Sequence, residues 1–150
     1  MSVYESAEAV ACCDSKHADV MQLPFSIFDR KMKKSGVFER ALRNNTEVFS
    51  RSAFTQGLVL INCENIPTHL EKAKPYMERF SDICSEYGVS RAAAALQYVK
   101  RESGISCLVV GVDSIDQLKK NINNFSDTVG DQFLTEIEIA FNGVKENNNV

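Results

Sequence analysis

Tryptophan is absent from the 150 residues, proline occurs three times and histidine twice. The two histidines, His17 and His69, lie in polar stretches, and no four-ligand zinc spacing is visible. Cations are not in excess. Seventeen Lys and Arg against twenty Asp and Glu leave a net charge of −3, which excludes the basic surface of an electrostatic nucleic-acid binder. No apolar run reaches the roughly 18 residues of a membrane span. Met1 to Glu8 carries two acids and no Lys or Arg, unlike a secretory or organellar leader. The five cysteines, Cys12, Cys13, Cys63, Cys84 and Cys107, are odd in number and contain no C-x-x-C. They read as reduced thiols, small and buried, in a cytoplasmic protein.

What is present is the balance of a soluble globular domain, 44% hydrophobic and 25% charged. The length suits one domain, placed over residues 1–143. The tail 144–150, with its run Glu146-Asn147-Asn148-Asn149, reads as disordered.

Strand and helix signals alternate along the chain. Ser2-Val3-Tyr4 is the stub of a strand, and Glu5 to Cys13 a short helix with Ala7, Val10 and Ala11 on one face. Asp19 to Phe25 is a strand with Pro24 at its end, because proline cannot donate to a central ladder. Gly36 to Asn44 is a helix striped by Val37, Phe38, Ala41 and Leu42, and Glu47 to Ala53 a strand. Thr68 to Glu71 reads as a capping box, and Pro75 fits the first turn of the helix that follows. In that helix Tyr76, Met77, Phe80, Ile83, Cys84 and Tyr87 recur at helical spacing, and Gly88 stops it. Ser90 caps a further helix with Ala92, Ala95, Leu96 and Val99 inward. Ile105 to Val112 is a continuous apolar run, the pattern of a strand buried on both faces. Ser114 to Phe125 is a helix with Leu118, Ile122 and Phe125 inside. Asp131 to Asn142 is a last helix that buries Phe133, Leu134, Ile137 and Phe141.

This order is that of an α/β protein with about four parallel strands and right-handed crossovers. A small doubly wound sheet with an unrelated ligand fits the count. So does half of a (β/α)₈ barrel, whose full length is about 250 residues. In either, ligands sit beyond the C-terminal strand ends, which singles out Gln22, the segment from Arg51 to Gly57, and the loop Gly111-Val112-Asp113-Ser114. Gly111 lacks a Cβ and lets a group approach the backbone. Ser114 caps a helix whose free amides form an anion site or merely a capped turn; Asp113 opposes an anion there. Arg51 and Ser52 suit a phosphate or amide, or are a solvated strand end. Gln22, polar between Met21 and Leu23, is either pinned by backbone or holds a ligand. Glu8, Glu39, Glu86 and Glu102 read as solvated helix faces.

Several segments resemble the aldo/keto reductase family, in the family's order. Ser2-Val3-Tyr4 is similar to the end of its fifth strand. Val20-Met21-Gln22-Leu23-Pro24-Phe25-Ser26 with Phe28-Asp29-Arg30 resembles the sixth. Arg51-Ser52-Ala53-Phe54-Thr55-Gln56-Gly57-Leu58 resembles the seventh and its loop. Val109-Val110-Gly111-Val112-Asp113-Ser114, with Gln117-Leu118 and Asn121, resembles the eighth strand and the cofactor loop.

The resemblance implies the C-terminal half of a (β/α)₈ TIM barrel. It also implies NAD(P)H-dependent reduction of an aldehyde or ketone when the barrel is complete. Gln22 would hold the nicotinamide carboxamide. Arg51 stands where many members stack an aromatic ring on the nicotinamide. Ser52 and Phe54 would line the pyrophosphate, and Gly111, Ser114, Gln117 and Asn121 would hold the adenosine phosphate and adenine. Val3 stands where many members have Asn, and Gln117 where many have Arg for a 2′-phosphate. Lys120 stands where an acid is common and offers a compensating charge. NADP is the cofactor implied, with NAD left open. The family's catalytic tyrosine, lysine, aspartate and histidine lie on the first four strands, and Tyr4, Tyr76, Tyr87 and Tyr98 do not match the tyrosine's motif. The chain thus reads as a fragment with the cofactor half of an oxidoreductase site, or alternatively as an inactive remnant or nucleotide-binding module. Exposed sheet edges imply self-association. Neither nucleic acid nor membrane is expected as a partner.

Overall fold

The computed structural model describes residues 1–143; the tail 144–150, expected to be disordered, lies outside them. Three strands form one parallel sheet in the order β1 (Val20–Pro24), β2 (Glu47–Arg51), β3 (Cys107–Leu108). The expected fourth strand is a single parallel bridge, Ser2 to Gln22. Val3 N–H donates to Gln22 O (2.9 Å) and Gln22 N–H to Met1 O (2.7 Å). Beside the strands stand the helices α1 (Ser6–Ser15), α2 (Lys31–Lys34), α3 (Val37–Asn44), α4 (Lys74–Glu86), α5 (Arg91–Lys100), α6 (Ile115–Ser126) and α7 (Asp131–Ala140).

Alternation along the strands separates two faces. Met21, Leu23, Val48 and Ser50 are buried, on the side packed by helices. Val20, Gln22, Phe49 and Arg51 are only half-buried and point to the other side. The register pairs them across the sheet: Val20 with Glu47, Gln22 with Phe49, Pro24 with Arg51. Pro24 ends its strand as expected, and the next amide, Phe25 N–H, donates to Arg51 O (3.1 Å).

The densest packing lies on the helix side. Phe28, Phe80 and Phe141 meet edge to face with centroids 5.1–6.3 Å apart. Arg30 is buried and donates to the carbonyls of Ile27 (2.7 Å), Glu138 and Ile137 (both 3.1 Å). Its guanidinium lies over the Tyr98 ring and 3.5 Å from Glu138. It therefore ties the turn after β1 to α7 and α5. Gly104 is needed where the chain enters β3, because a Cβ there would lie 2.5 Å from Cβ of Phe38.

Local signals match well. Pro75 sits in the first turn of α4, Gly88 follows with φ +64°, and Ser90 Oγ accepts from Ala93 N–H (3.1 Å). Inferences about burial fare worse. The run Ile105–Val112 is not buried on both faces: only Cys107 and Leu108 pair with β2, and Val109 and Val112 are exposed. The outer edge of β3 pairs with no strand among the described residues. For the same reason Leu118, Ile122 and Phe125 of α6 face outward. In α1 the buried face is Ala9, Cys12 and Cys13; Ala7 and Ala11 are exposed and Val10 half-buried. With small apolar residues all around that helix, the stripe has little contrast. Leu42 is exposed on α3 and Ala92 half-buried on α5. Thr68 begins a 3₁₀ helix, Thr68–Ala73, with Pro67 at its cap and no side-chain capping bond. The cysteines are free, but Cys107 is exposed and Cys63 half-buried.

Candidate functional site

The C-terminal strand ends and the loops beyond them hold the predicted residues in three groups. Gln22 and Arg51 lie on the open inner face of the sheet. Ser52, Phe54 and Gly111 line a cleft of about 240 Å³, with Ala53, Gln56, Gly57, Val109 and Val110. Ser114, Gln117 and Asn121 lie beyond it, in the loop after β3 and on α6.

The cleft exists because the chain turns sharply after β2. Ser52, Thr55, Gln56 and Gly57 all take positive φ, from 49° to 87°. Thr55 N–H donates to Ser52 O (2.8 Å), and Thr55 Oγ1 lies 3.3 Å from Ser26 Oγ. Left-handed backbone is costly at non-glycine residues. The opposite wall is the end of β3, where nothing lies within 4 Å of a Cβ built on Gly111. At about 240 Å³ the space is smaller than the roughly 300–1,000 Å³ of drug-sized pockets; it suits one part of an extended ligand.

Gln22 is not the buried amide its neighbours suggested. It is half-buried on the open face, and its carboxamide makes no hydrogen bond among the described residues. Val3 turns into the core, away from that face, so Asn at its position would not present its amide there. Arg51 carries its guanidinium 4.2 Å from the centre of the Tyr4 ring and lies 3.4 Å from Ser52 Oγ through Nη1. Its Nη2 is buried without an acceptor.

At α6, Ser114 Oγ accepts from Gln117 N–H (3.1 Å), the cap expected of it. Gln117 Oε1 accepts from Asp113 N–H (2.7 Å), so its side chain closes the loop. The amides of Ile115 and Asp116 find no acceptor within the helix, and Asn121 Nδ2 is buried with no partner. Five buried side-chain polar atoms lack a partner among the described residues. Two of them, on Arg51 and Asn121, belong to the residues singled out from sequence.

Three residues that position loops around the site have no forewarning in the sequence motifs. Buried Gln97 lays its amide NH₂ against the carbonyls of Asn124 (2.8 Å), Phe125 (2.9 Å) and Asp127. Lys100 Nζ adds a bond to Phe125 O (2.7 Å). These fix the last turn of α6, a helix with no buried residue of its own. The only sequence signal was a glutamine amid Ala95-Leu96 and Tyr98-Val99. Arg91 similarly holds the carbonyls of Ile61 (2.6 Å) and Leu60 (3.3 Å) beyond the β2 loop.

Groups with shifted titration are structural. Burial drives the Tyr98 phenol far up, and it donates to Glu138 Oε2 (2.8 Å). Burial pushes the Cys84 thiol up to about 12, with Arg91 opposing, and raises Cys13. A nucleophilic cysteine needs the opposite shift. Burial pushes Glu138 up, but the Tyr98 hydrogen bond and the charges of Arg30 and Lys33 outweigh it and hold it low. No group of three or more His, Cys, Asp or Glu suited to a metal occurs among the described residues. No helix there is long and apolar enough to cross a membrane.

Comparison with known proteins bears on the fold and the family. The fold superposes on the aldo-keto reductase AKR11C1 from Bacillus halodurans. In its holo form the TM-score is 0.72 at 17% identity, covering 93% of this chain and 48% of that one. In its apo form the TM-score is 0.75 at 16% identity, covering 93% and 49%. The present chain thus spans about half the length of these structures. A 59-residue segment is 39% identical to pyridoxal 4-dehydrogenase of Microbacterium luteolum, covering 39% of this chain and 17% of that protein. Residues 2–141 match the Aldo/keto reductase family, and with nearly the whole chain matched, the protein belongs to that family.

Proposed function

We propose that this chain is the cofactor-side half of an aldo/keto reductase barrel, reducing an aldehyde or ketone with NAD(P)H once the barrel is complete. The family generally uses nicotinamide cofactors. The observation that carries the assignment to these residues is the pair of buried, partnerless donors on Arg51 and Asn121, neither of which lines the cleft itself. Buried polar groups without partners are rare, and an elongated polar ligand would supply both acceptors.

The nicotinamide, when bound, supplies the hydride. This chain's residues bind and orient. Gln22 offers a free carboxamide to the nicotinamide amide. The Ser52–Gly57 turn and the bare backbone at Gly111 receive the pyrophosphate. Ser114 and the first-turn amides of α6 hold the adenosine phosphate. Gln117, occupied with Asp113 N–H, leaves the charge opposite a 2′-phosphate to exposed Lys120, and NADP remains our choice over NAD. The open edges of the sheet self-associate in the isolated chain.

A second reading, a nucleotide-binding module without turnover, is favoured by the chain's four tyrosines, none of which matches the family's catalytic tyrosine as a general acid. Steady NADPH consumption with aldehydes separates the two readings. The isolated chain should show none above background, while a barrel completed with the missing strands should turn over. In that barrel Ser114→Ala should weaken NADPH binding by about tenfold, roughly 1.4 kcal/mol. Gln117→Arg should favour NADPH over NADH by adding a planar cation. Unchanged titrations with the protein still folded would remove the cofactor role of Gly111 to Asn121.

A further inference from the structure

The expectations of burial fail mainly at the two flanks of the sheet. At one flank, β3 pairs only with β2 among the described residues. Val109 and Val112 are exposed there, as are Ile115 and Ile122 on the helix that follows. At the other flank, the segment 2–4 pairs only with β1, and α1 exposes Ala7 and Ala11. Open strand edges are templates for another strand, and apolar faces beside them mark interaction surfaces. The flanks are also complementary. α6 presents Ile115 and Ile122, seven residues apart on one face, with Lys119 on the same face. α1 packs on α3 through the side where Asp14 meets Arg40 at 2.9 Å. Its free side exposes Glu8 and Ala11. Large apolar side chains beside a cation thus face a small-residue surface beside an acid.

We infer that a second copy of this chain covers both flanks and closes a two-fold barrel. β3 of each copy pairs with the segment 2–4 of the other, and α6 of each lies on the other's α1. The inference rests on the reading of this chain as one half of a reductase barrel and names the partner of that half. Three strands and the segment 2–4 make four, so two copies supply the eight of a closed barrel. A two-fold axis along the barrel keeps strand direction, so the new pairings are parallel like those already present. It forms both contacts at once and leaves no edge. Pairing β3 with β3 would be antiparallel and would leave both 2–4 segments open. The site itself is incomplete in one copy. Gln22 and Phe49 are only half-buried on the open inner face, and Cys107, in register with Phe49, is exposed there. The partner's sheet supplies the opposite wall.

The test is sedimentation of the full chain over a range of concentrations, which should give a dimer and nothing larger. Ile122→Glu and Ala11→Lys change exposed helix positions, and circular dichroism confirms that each variant is folded. Each should weaken dimerisation by at least about tenfold. Mixing the two variants should restore the dimer. A mixed pair keeps one unaltered contact between α6 and α1 and sets Glu against Lys in the other. Iodoacetamide labelling of Cys107, read by peptide mapping, gives a second readout. It should be slow in the dimer and about tenfold faster in Ile122→Glu. The inference is overturned by a monomer at every concentration, by a dimer that folded Ala11→Lys leaves intact, or by variants that stay apart when mixed. A mass that keeps growing with concentration also overturns it, since the copies would then form an open chain. NADPH titration keeps the two readings apart. A dimer that takes no NADPH keeps the barrel and removes the cofactor role; a monomer that binds NADPH does the reverse.

Discussion

The helices α4, α5 and α7 with the turn after β1, and the strand β3 with α6, are built on opposite terms. The first region buries Phe80, Ile83, Leu96, Phe133, Ile137 and Phe141 almost completely and locks Arg30 inside. In the second, α6 buries no residue, and Ile115 and Ile122 are more than half exposed; polar bonds from Gln97 and Lys100 hold the end of that helix. The difference teaches that packing is unevenly divided in this chain, and the proposed function puts ligand binding on the loosely packed side. The packed side makes the fold cooperative. The loose side carries Gly111, Ser114, Gln117 and Asn121, and such low-stability segments are where binding elements are commonly drawn from.

The widest gap between the regions should appear in core truncations. Phe80→Ala removes a ring packed against Phe28 and Phe141 and should cost about 3–5 kcal/mol. Leu118→Ala, on the exposed face of α6, should stay within about 0.5 kcal/mol. Urea melts of both variants check this, and equal losses would erase the distinction.

Next in size is the buried cation. Arg30→Met leaves three carbonyls without their donor and Glu138 without its closest charge, at a cost of about 3 kcal/mol. The Glu138 carboxyl is held low, so its contribution is present at neutral pH. It is lost as the pH falls below the ordinary value near 4.5 and through the lowered one. Stability should therefore drop in acid, and Glu138→Gln should flatten that part of the profile. A variant with the wild-type acid slope would take Glu138 out of the account.

A smaller effect, about 1–3 kcal/mol, is expected of Gln97→Leu, which unpins the last turn of α6. Its signature is local. Amide exchange should speed up in α6 and leave α4 and α7 unchanged.

How much was legible from sequence follows the same division. The succession of strands and helices, the caps at Ser90 and Ser114, and the turn at Pro75 are set by neighbours a few residues away, and they are readable. The Phe80, Ile83 and Phe133 stripes were readable because a closed core covers them. Burial of Val109, Leu118 and Ile122 was not, since periodicity marks an apolar face without saying what lies against it. Of the two readings of Gln22, the backbone-pinned one fails for the same reason: its apolar neighbours point to the opposite side of the sheet. The Arg51–Tyr4 stack joins residues 47 positions apart in sequence and had no local signature. The grouping of the proposed cofactor residues rests on resemblance to a family. The structure adds that Gln117 is already engaged and that Arg51 faces away from the cleft.

The most direct test of the division is hydrogen exchange of the full chain with and without NADPH. The account predicts slower exchange confined to Ser52–Gly57 and Gly111–Asn121, with α4, α5 and α7 unchanged. Protection that falls on the packed helices instead, or nowhere at saturating NADPH, would contradict it.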